Sequence, residues 1–351
     1  MLEHLSSILW FTFVSFIVSV ILYPFYIKFL KRIKAGKTIR DNTATGEKSE
    51  IFVKMHKNKE GTPTMWWGLF LLLMAVMIFV SFLLQKFGYI NNSLRNQQET
   101  YIIVFGFFSM GIIGFIDDIL NIKNVGTIKG LNMRAKLFGM IIFSAFIAYR
   151  FYVKLGIDYI NFWPIAGKVH LGVFFPILVF IGTIYVVNAV NITDGLDGLV
   201  GGMGACVICV LAIITFLNQT YLATTVLGVC IAILLAFLFY NINPAKLFMG
   251  DSGAFCLGGL IASTVCLLNM RIWIFIPFFI LFLLFSIELI TSGLQMFWKK
   301  VFKRKLFPIA PFHHLMEYKG HHEYEITMKF WLIQGILCLT TIILIFWQVG
   351  G

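Results

Sequence analysis

The chain has 351 residues, 59% of them hydrophobic and 13% charged, with a mean hydropathy of +0.88. An ordinary soluble domain is about 45–50% apolar and about 25% charged, so a cytosolic enzyme, a coiled coil, a disordered chain and a disulfide scaffold are excluded. The 28 Lys and Arg against 16 Asp and Glu leave a net charge of +12, which in so apolar a chain points to a membrane surface and not to nucleic acid.

A helix crossing a hydrocarbon core of about 30 Å needs roughly 20 apolar residues. That ruler gives ten spans: Ile8–Leu30, Met65–Leu84, Tyr101–Ile116, Ala135–Val153, Leu171–Val187, Leu199–Leu217, Tyr221–Tyr240, Ala254–Leu268, Ile272–Phe297 and Met328–Val349. The expected fold is therefore a single all-α integral membrane domain, multi-pass in a cell membrane. The first span lacks an early basic region and is long enough to cross, so it reads as a helix and not as a removable signal peptide. With the N-terminus outside, 22 of the 28 Lys and Arg fall on the cytoplasmic side, as the positive-inside rule requires. Ten spans then place both termini outside. Cytoplasmic connections are expected at about 31–64, 117–134, 188–198, 241–253 and 298–327, with an external, hairpin-like loop at about 154–170. All six cysteines lie in apolar runs, where free Cys behaves as a small hydrophobe.

The polar motifs follow the same order. Lys59-Glu60-Gly61-Thr62-Pro63-Thr64 opens the second span; a lysine and two hydroxyls near a helix N-terminus suit a phosphate. Asp117-Asp118 ends the third apolar run. Two carboxylates about 4 Å apart repel by about 4 kcal/mol at an effective dielectric near 20, so the pair wants a cation or a shared proton, or else marks a solvated helix end. Asn188, Asn191, Asp194 and Asp197 fall within ten residues, with a glycine after each acid. Amides and carboxylates hold a nucleotide's sugar and base edges, and glycines let backbone donors approach. Asn241 and Asn243 precede Met249-Gly250-Asp251, where Asp251 can either cap the next helix or reach a hard cation such as Mg²⁺.

Glu288 is the only acid deep in a span, the ninth, which also contains Pro277. It reads as a carboxyl paired within the bundle or facing a groove. In the last connection His313 and His314 read as phosphate or nucleotide contacts, and Lys299, Lys300, Lys303, Arg304 and Lys305 as an anchor on anionic lipid. Five of the seven aspartates thus share one membrane face. An ion-coupled transporter would carry its acids near the midplane; this placement favours an enzyme working at the membrane surface.

Together these motifs resemble the polyprenyl-phosphate hexosamine-1-phosphate transferases, from about residue 23 to residue 333 and in the expected order. The residues that carry the likeness are K-x-G-T-P-T-M at Lys59–Met65, Asp117-Asp118, K-G-L at Lys129–Leu131 and N-A-V-N-x-T-D-G-L-D-G at Asn188–Gly198. N-x-x-P-A at Asn241–Ala245, M-G-D at Met249–Asp251 and P-x-H-H at Pro311–His314 complete it. The G-T-P-T-M segment and the single P-x-H-H cluster favour the muramoyl-pentapeptide branch over the UDP-GlcNAc branch. The resemblance implies ten transmembrane helices, a cytoplasmic active site, Mg²⁺ and a homodimer. It also implies transfer of phospho-MurNAc-pentapeptide from UDP-MurNAc-pentapeptide to undecaprenyl phosphate, with release of UMP. On that basis Asp251 takes the Mg²⁺ role and Asp117 with Asp118 activate the acceptor. Asn188, Asn191, Asp194, Asp197 and Asn241 line the uridine-diphosphate side, while Lys59, Thr64, Lys129, His313 and His314 contact phosphate or nucleotide. Three positions depart from the pattern: Leu315 replaces a third His, Trp66-Trp67 replace two glycines, and Asn121 stands where a Lys often follows the acid pair.

Overall fold

The computed structural model describes residues 2–36, 59, 61–64, 66–88, 98–123, 130–162 and 167–350. Among the described residues its regular structure is helical except for one small hairpin and an isolated Gly36–Pro63 bridge. The helices are α1 (Leu2–Arg32), α2 (Trp66–Lys86), α3 (Gln98–Ile122), α4 (Met133–Tyr149), α5 (Phe174–Thr193), α6 (Leu199–Leu217), α7 (Tyr221–Asn241), α8 (Gly250–Asn269), α9 (Phe275–Leu281), α10 (Leu283–Phe302), α11 (Phe312–Tyr318) and α12 (Glu323–Gly350). Among the described residues nine helices are long and apolar enough to cross a membrane, and the bent pair α9–α10 makes up to ten. In a bilayer the backbone has no water to bond, so each span satisfies its N–H and C=O groups internally as helix. The protein is a multi-pass membrane protein.

Strands β1 (Tyr159–Asn161) and β2 (Lys168–His170) pair antiparallel between α4 and α5. The hairpin is pinned to the end of α8, where Asn269 accepts from the Asn161 N–H at 3.0 Å and donates to the Tyr159 carbonyl at 2.8 Å.

Several boundaries differ from expectation. Helix α3 runs six residues past Ile116, so Asp117 and Asp118 lie on its final turns and not in a loop. Helix α5 likewise includes Asn188 and Asn191. Apolar runs mark where lipid contact ends, whereas a helix continues for as long as protein satisfies its backbone. The ninth span is not one helix: α9 and α10 meet at Phe282 at an angle of 72°. Pro277 lies in the first turn of α9, where its missing N–H costs no helical bond. Phe278, Phe282 and Phe285 stack through the break at 5.1 and 4.8 Å. Helix α12 meets the carbonyls at the bend, Gln334 donating to Leu281 at 2.8 Å and Thr341 to Pro277 at 3.3 Å.

Helix α8 is the axis of the bundle. Nearly all of it is buried, while α1 and α12 present most of their surface outward. Its most extensive partner is α3, and glycines set how near the two approach. A methyl group on Gly106 would overlap the Gly259 carbonyl and the Ser263 hydroxyl; one on Gly114 would overlap the Asp251 carbonyl. Gly114 stands one turn before Asp117, so this close contact is what brings the acids of α3 onto the start of α8. Backbone cannot yield as a side chain can, so Gly114→Ala forces the helices apart. Overpacking of this kind costs about 1–3 kcal/mol, and a thermal-unfolding scan should show the loss. Gly182→Ala, where nothing stands within 4 Å, should leave stability unchanged or slightly raised.

Candidate active site

Two polar clusters stand at the two ends of one short connection, Ile242–Met249, between α7 and α8. The first is built from α3, α4 and α8. One oxygen from each of Asp117, Asp118 and Asp251 lies within 4.8 Å of the others, an arrangement that can hold a divalent cation. The three carboxylates are not equivalent. Asp118 caps α8 from outside: it accepts from the Asp251 and Ser252 N–H groups at 3.2 and 3.1 Å and from the Ser252 hydroxyl at 2.5 Å. An acid at a helix N-terminus satisfies orphan donors and complements the dipole. Gly250 makes this possible, because its φ is +74° and a Cβ there would stand 2.6 Å from Asp118 Oδ2 and 2.7 Å from Thr64 Oγ1. The helix-capping task considered for Asp251 therefore falls to Asp118.

Asp117 is buried, with Oδ1 accepting from the Leu131 N–H at 2.6 Å and Oδ2 from Lys136 Nζ at 2.9 Å. Lys136 also pairs with Asp251, so one ammonium bridges α3 and α8 from the first turn of α4. The Asp251 side chain is the most accessible of the three, 30% exposed against 2% for Asp117. Thr64 is buried beside this cluster, its N–H donating to the Ala35 carbonyl at 3.0 Å, and the Pro63 carbonyl accepts from Phe248 at 2.8 Å.

The second cluster gathers around Asp197. Lys59 pairs with Asp197 Oδ1 at 2.8 Å and with Glu323 at the start of α12. Asp197 Oδ2 accepts from Asn243 Nδ2 and from the Ala245 N–H, each at 3.0 Å. Glu323 in turn accepts from the Asp197 N–H at 2.6 Å. Burial alone would lower the Lys59 ammonium, but Glu323 and Asp197 outweigh it and hold it above the ordinary lysine value. Asn241 is part of the frame, accepting from the Gly198 N–H at 3.1 Å and donating to the Leu247 carbonyl at 2.9 Å. Beside it His314 Nδ1 meets Glu317 Oε2 at 2.6 Å.

These clusters lie in a chain whose likeness to known proteins runs nearly end to end. Residues 100–269 match the family described as Glycosyl transferase family 4. The phospho-N-acetylmuramoyl-pentapeptide-transferase of Clostridium acetobutylicum is 32% identical over 336 residues, 95% of this chain and 98% of the relative. Those of Listeria welshimeri and Petrotoga mobilis are each 31% identical, over 94% and 95% of this chain and 96% and 98% of theirs. The chain belongs to the phospho-N-acetylmuramoyl-pentapeptide-transferase family.

In this transferase the expected site residues divide by environment. Asp117, Asp118, Asp251 and Thr64 meet in the first cluster; Lys59, Asp197 and Asn241 meet in the second. Asn188 turns toward α4, donating to the Ile184 carbonyl at 2.8 Å and to Met140 sulfur at 3.3 Å. Asn191 and Asp194 are half-exposed at the end of α5. Lys129 lies outside the described residues, as do the side chains of Trp66 and Trp67. Asn121 is buried in the last turn of α3, and Leu315 is half-buried on α11. His313 stands apart from both clusters' bonding and pairs with Glu288 at 3.0 Å.

Lys136, Glu323 and Glu317 are the polar partners that sequence reasoning did not single out. For Lys136 a signal existed, a lysine one residue inside the start of an apolar span. Glu317 lies outside the spans. Burial, helped by the negative Glu323 and opposed by Lys59, pushes its carboxyl up to about 7. A folded value above the unfolded 4.5 means that Glu317 contributes stability while protonated, and that this is lost as pH rises through about 7. Thermal midpoints measured between pH 5 and 8 should therefore fall more steeply with pH in the wild type than in Glu317→Gln. Equal slopes would contradict it.

Proposed function

We propose that the protein transfers phospho-MurNAc-pentapeptide from UDP-MurNAc-pentapeptide to undecaprenyl phosphate, giving lipid I and UMP. The observation that carries this reading is the three-carboxylate centre on α3 and α8 in a chain that aligns over nearly its whole length with transferases of that name. Both clusters sit at the membrane face that, with span ends included, holds 22 of the 28 Lys and Arg, which supports a cytoplasmic site with both termini outside.

Three carboxylates favour a hard cation, and Mg²⁺ is our assignment. Bound there, Mg²⁺ supplies charge neutralisation on the departing nucleotide phosphate. The rest is positioning by the chain's own groups, as phosphoryl transfer requires. Asp251, the most accessible acid, would hold the cation together with Asp117 and Asp118, and Lys136 pairs with Asp117 and Asp251 at its edge. Asp118 positions the start of α8. Lys59, Asp197, Asn191 and Asp194 take the uridine-diphosphate side, with Asn241 and Asn243 holding that loop in shape. Asp117 has both oxygens occupied, by the Leu131 N–H and Lys136, which disfavours it as a covalent nucleophile. Our reading is therefore direct attack by the acceptor phosphate. Inversion at the transferred phosphorus is expected, and retention would contradict it.

The reading is tested with purified protein, Mg²⁺ and undecaprenyl phosphate by comparing UMP release from UDP-MurNAc-pentapeptide and from UDP-GlcNAc. Release from the first alone is expected. Release from UDP-GlcNAc alone would move the protein to the other branch of the superfamily. Release from neither would sink the enzyme reading.

A further inference from the structure

Glu288 and His313 form a pair that neither polar cluster uses. Both are fully buried, at 0% exposure. The Glu288 carboxylate accepts from His313 Nδ1 at 3.0 Å and from the His313 backbone N–H at 3.2 and 3.3 Å. The bend between α9 and α10 sets the course of α10, the helix that carries Glu288 to the start of α11. The other ring nitrogen, Nε2, is buried and has no hydrogen-bond partner among the described residues. It lies so near Gly195 that a methyl group there would overlap it.

Stability gives no reason for this arrangement. A buried nitrogen left unsatisfied costs about 1–3 kcal/mol, and native structures keep few of them. A carboxylate on a membrane helix is costly as well, and a buried charge pair replaced by apolar groups of like volume is often neutral or stabilising. The place of Nε2 is informative. Gly195 lies between Asp194 and Asp197, in the loop that carries the second polar cluster. A carboxylate that accepts two N–H bonds is acceptor-only, so Nδ1 carries a hydrogen, and in the neutral ring Nε2 then keeps a lone pair. What it lacks is a donor.

We propose that Glu288 is a positioning residue for His313: it fixes the Nδ1–H tautomer so that Nε2 accepts a hydrogen bond from a hydroxyl of the nucleotide-sugar donor at the Asp194–Gly198 loop. This rests on the transferase reading for the identity of that donor, but the tautomer does not. Nitrogen-15 NMR of histidine-labelled wild type, with His313→Gln to assign the signal, should show an unprotonated Nε2. In Glu288→Gln the two tautomers should mix. A protonated Nε2 in the wild type would overturn the proposal whatever the activity.

The second arm is a double-mutant cycle on UMP release. Glu288→Gln is expected to lower turnover about tenfold, the lower end of what losing an orienting partner of a histidine costs, with the thermal midpoint retained. In a His313→Gln background the same substitution should cost nothing further, because Glu288 acts only through the ring. Additive losses would assign Glu288 a merely structural role and overturn the proposal. If wild type releases no UMP, the transferase reading fails while the NMR arm still decides the tautomer.

Discussion

Asp251→Asn is expected to lower UMP release by about 10³-fold while the protein keeps its fold. The substitution leaves most of its surroundings in place. Asparagine has nearly the same volume, the side chain is 30% exposed, and Lys136 retains Asp117 as a partner at 2.9 Å. The cap on α8 is untouched, because Asp118 supplies it through the Asp251 and Ser252 N–H groups. What is lost is one anionic oxygen from a three-carboxylate centre, on the side that opens to substrate. Lewis-acid stabilisation of a phosphoryl group is worth several kcal/mol, and each 1.36 kcal/mol is a factor of about ten. Near-wild-type turnover in a well-folded Asp251→Asn protein would remove Asp251 from the cation site.

Lys136→Met should damage both stability and turnover. A single ammonium bridges Asp117 on α3 and Asp251 on α8. Without it two carboxylates face each other with less compensation, and breaking a buried pair by removing one partner costs about 3–5 kcal/mol. The exposure of Asp251 to solvent argues for the lower end, about 3 kcal/mol. Turnover is expected to fall by about 10²-fold or more, as when a preorganised charge is removed from a site that stabilises developing charge. Asp117→Asn in the same background should return part of the stability and none of the turnover, since it relieves repulsion without restoring a cation. Lys136→Met with wild-type melting and wild-type turnover would show that the bridge has neither role.

Much of the fold was legible because lipid imposes a plain rule. A run of roughly 20 apolar residues must be a helix, and the described helices α1–α8 and α12 fall where such runs lie. The ninth span misled because Ile272–Phe297 is apolar throughout: hydropathy records burial in lipid and is blind to a change of direction at Phe282. Helix ends were misplaced for a related reason. Asp117, Asp118, Asn188 and Asn191 are polar, so they read as loop, yet α3 and α5 carry them because α8 and α4 supply the surroundings.

The site divides in the same way. The acids of the first cluster could be anticipated, because five of the seven aspartates gather at span ends on one membrane face. Their separate tasks could not: that Asp118 caps α8 depends on Gly114 and Gly250 letting backbone and carboxylate meet. Lys136 and Glu323 were visible as charges, but only the packing of α4 and α12 against the rest gives each its partners. Glu288 was legible as an ionisable residue deep in a span that wanted a partner, and its partner came from a helix 25 residues further along the chain.

If the Asp117–Asp118–Asp251 centre holds a divalent cation for phospho-sugar transfer, the most direct test is UMP release from UDP-MurNAc-pentapeptide in metal-stripped protein as Mg²⁺ is returned, for wild type and Asp251→Asn side by side. Wild type should be silent without metal and recover fully with Mg²⁺, while Asp251→Asn stays at about a thousandth of that rate at every concentration tried. Full wild-type activity in the presence of excess chelator, or equal Mg²⁺ responses in the two proteins, would contradict the account.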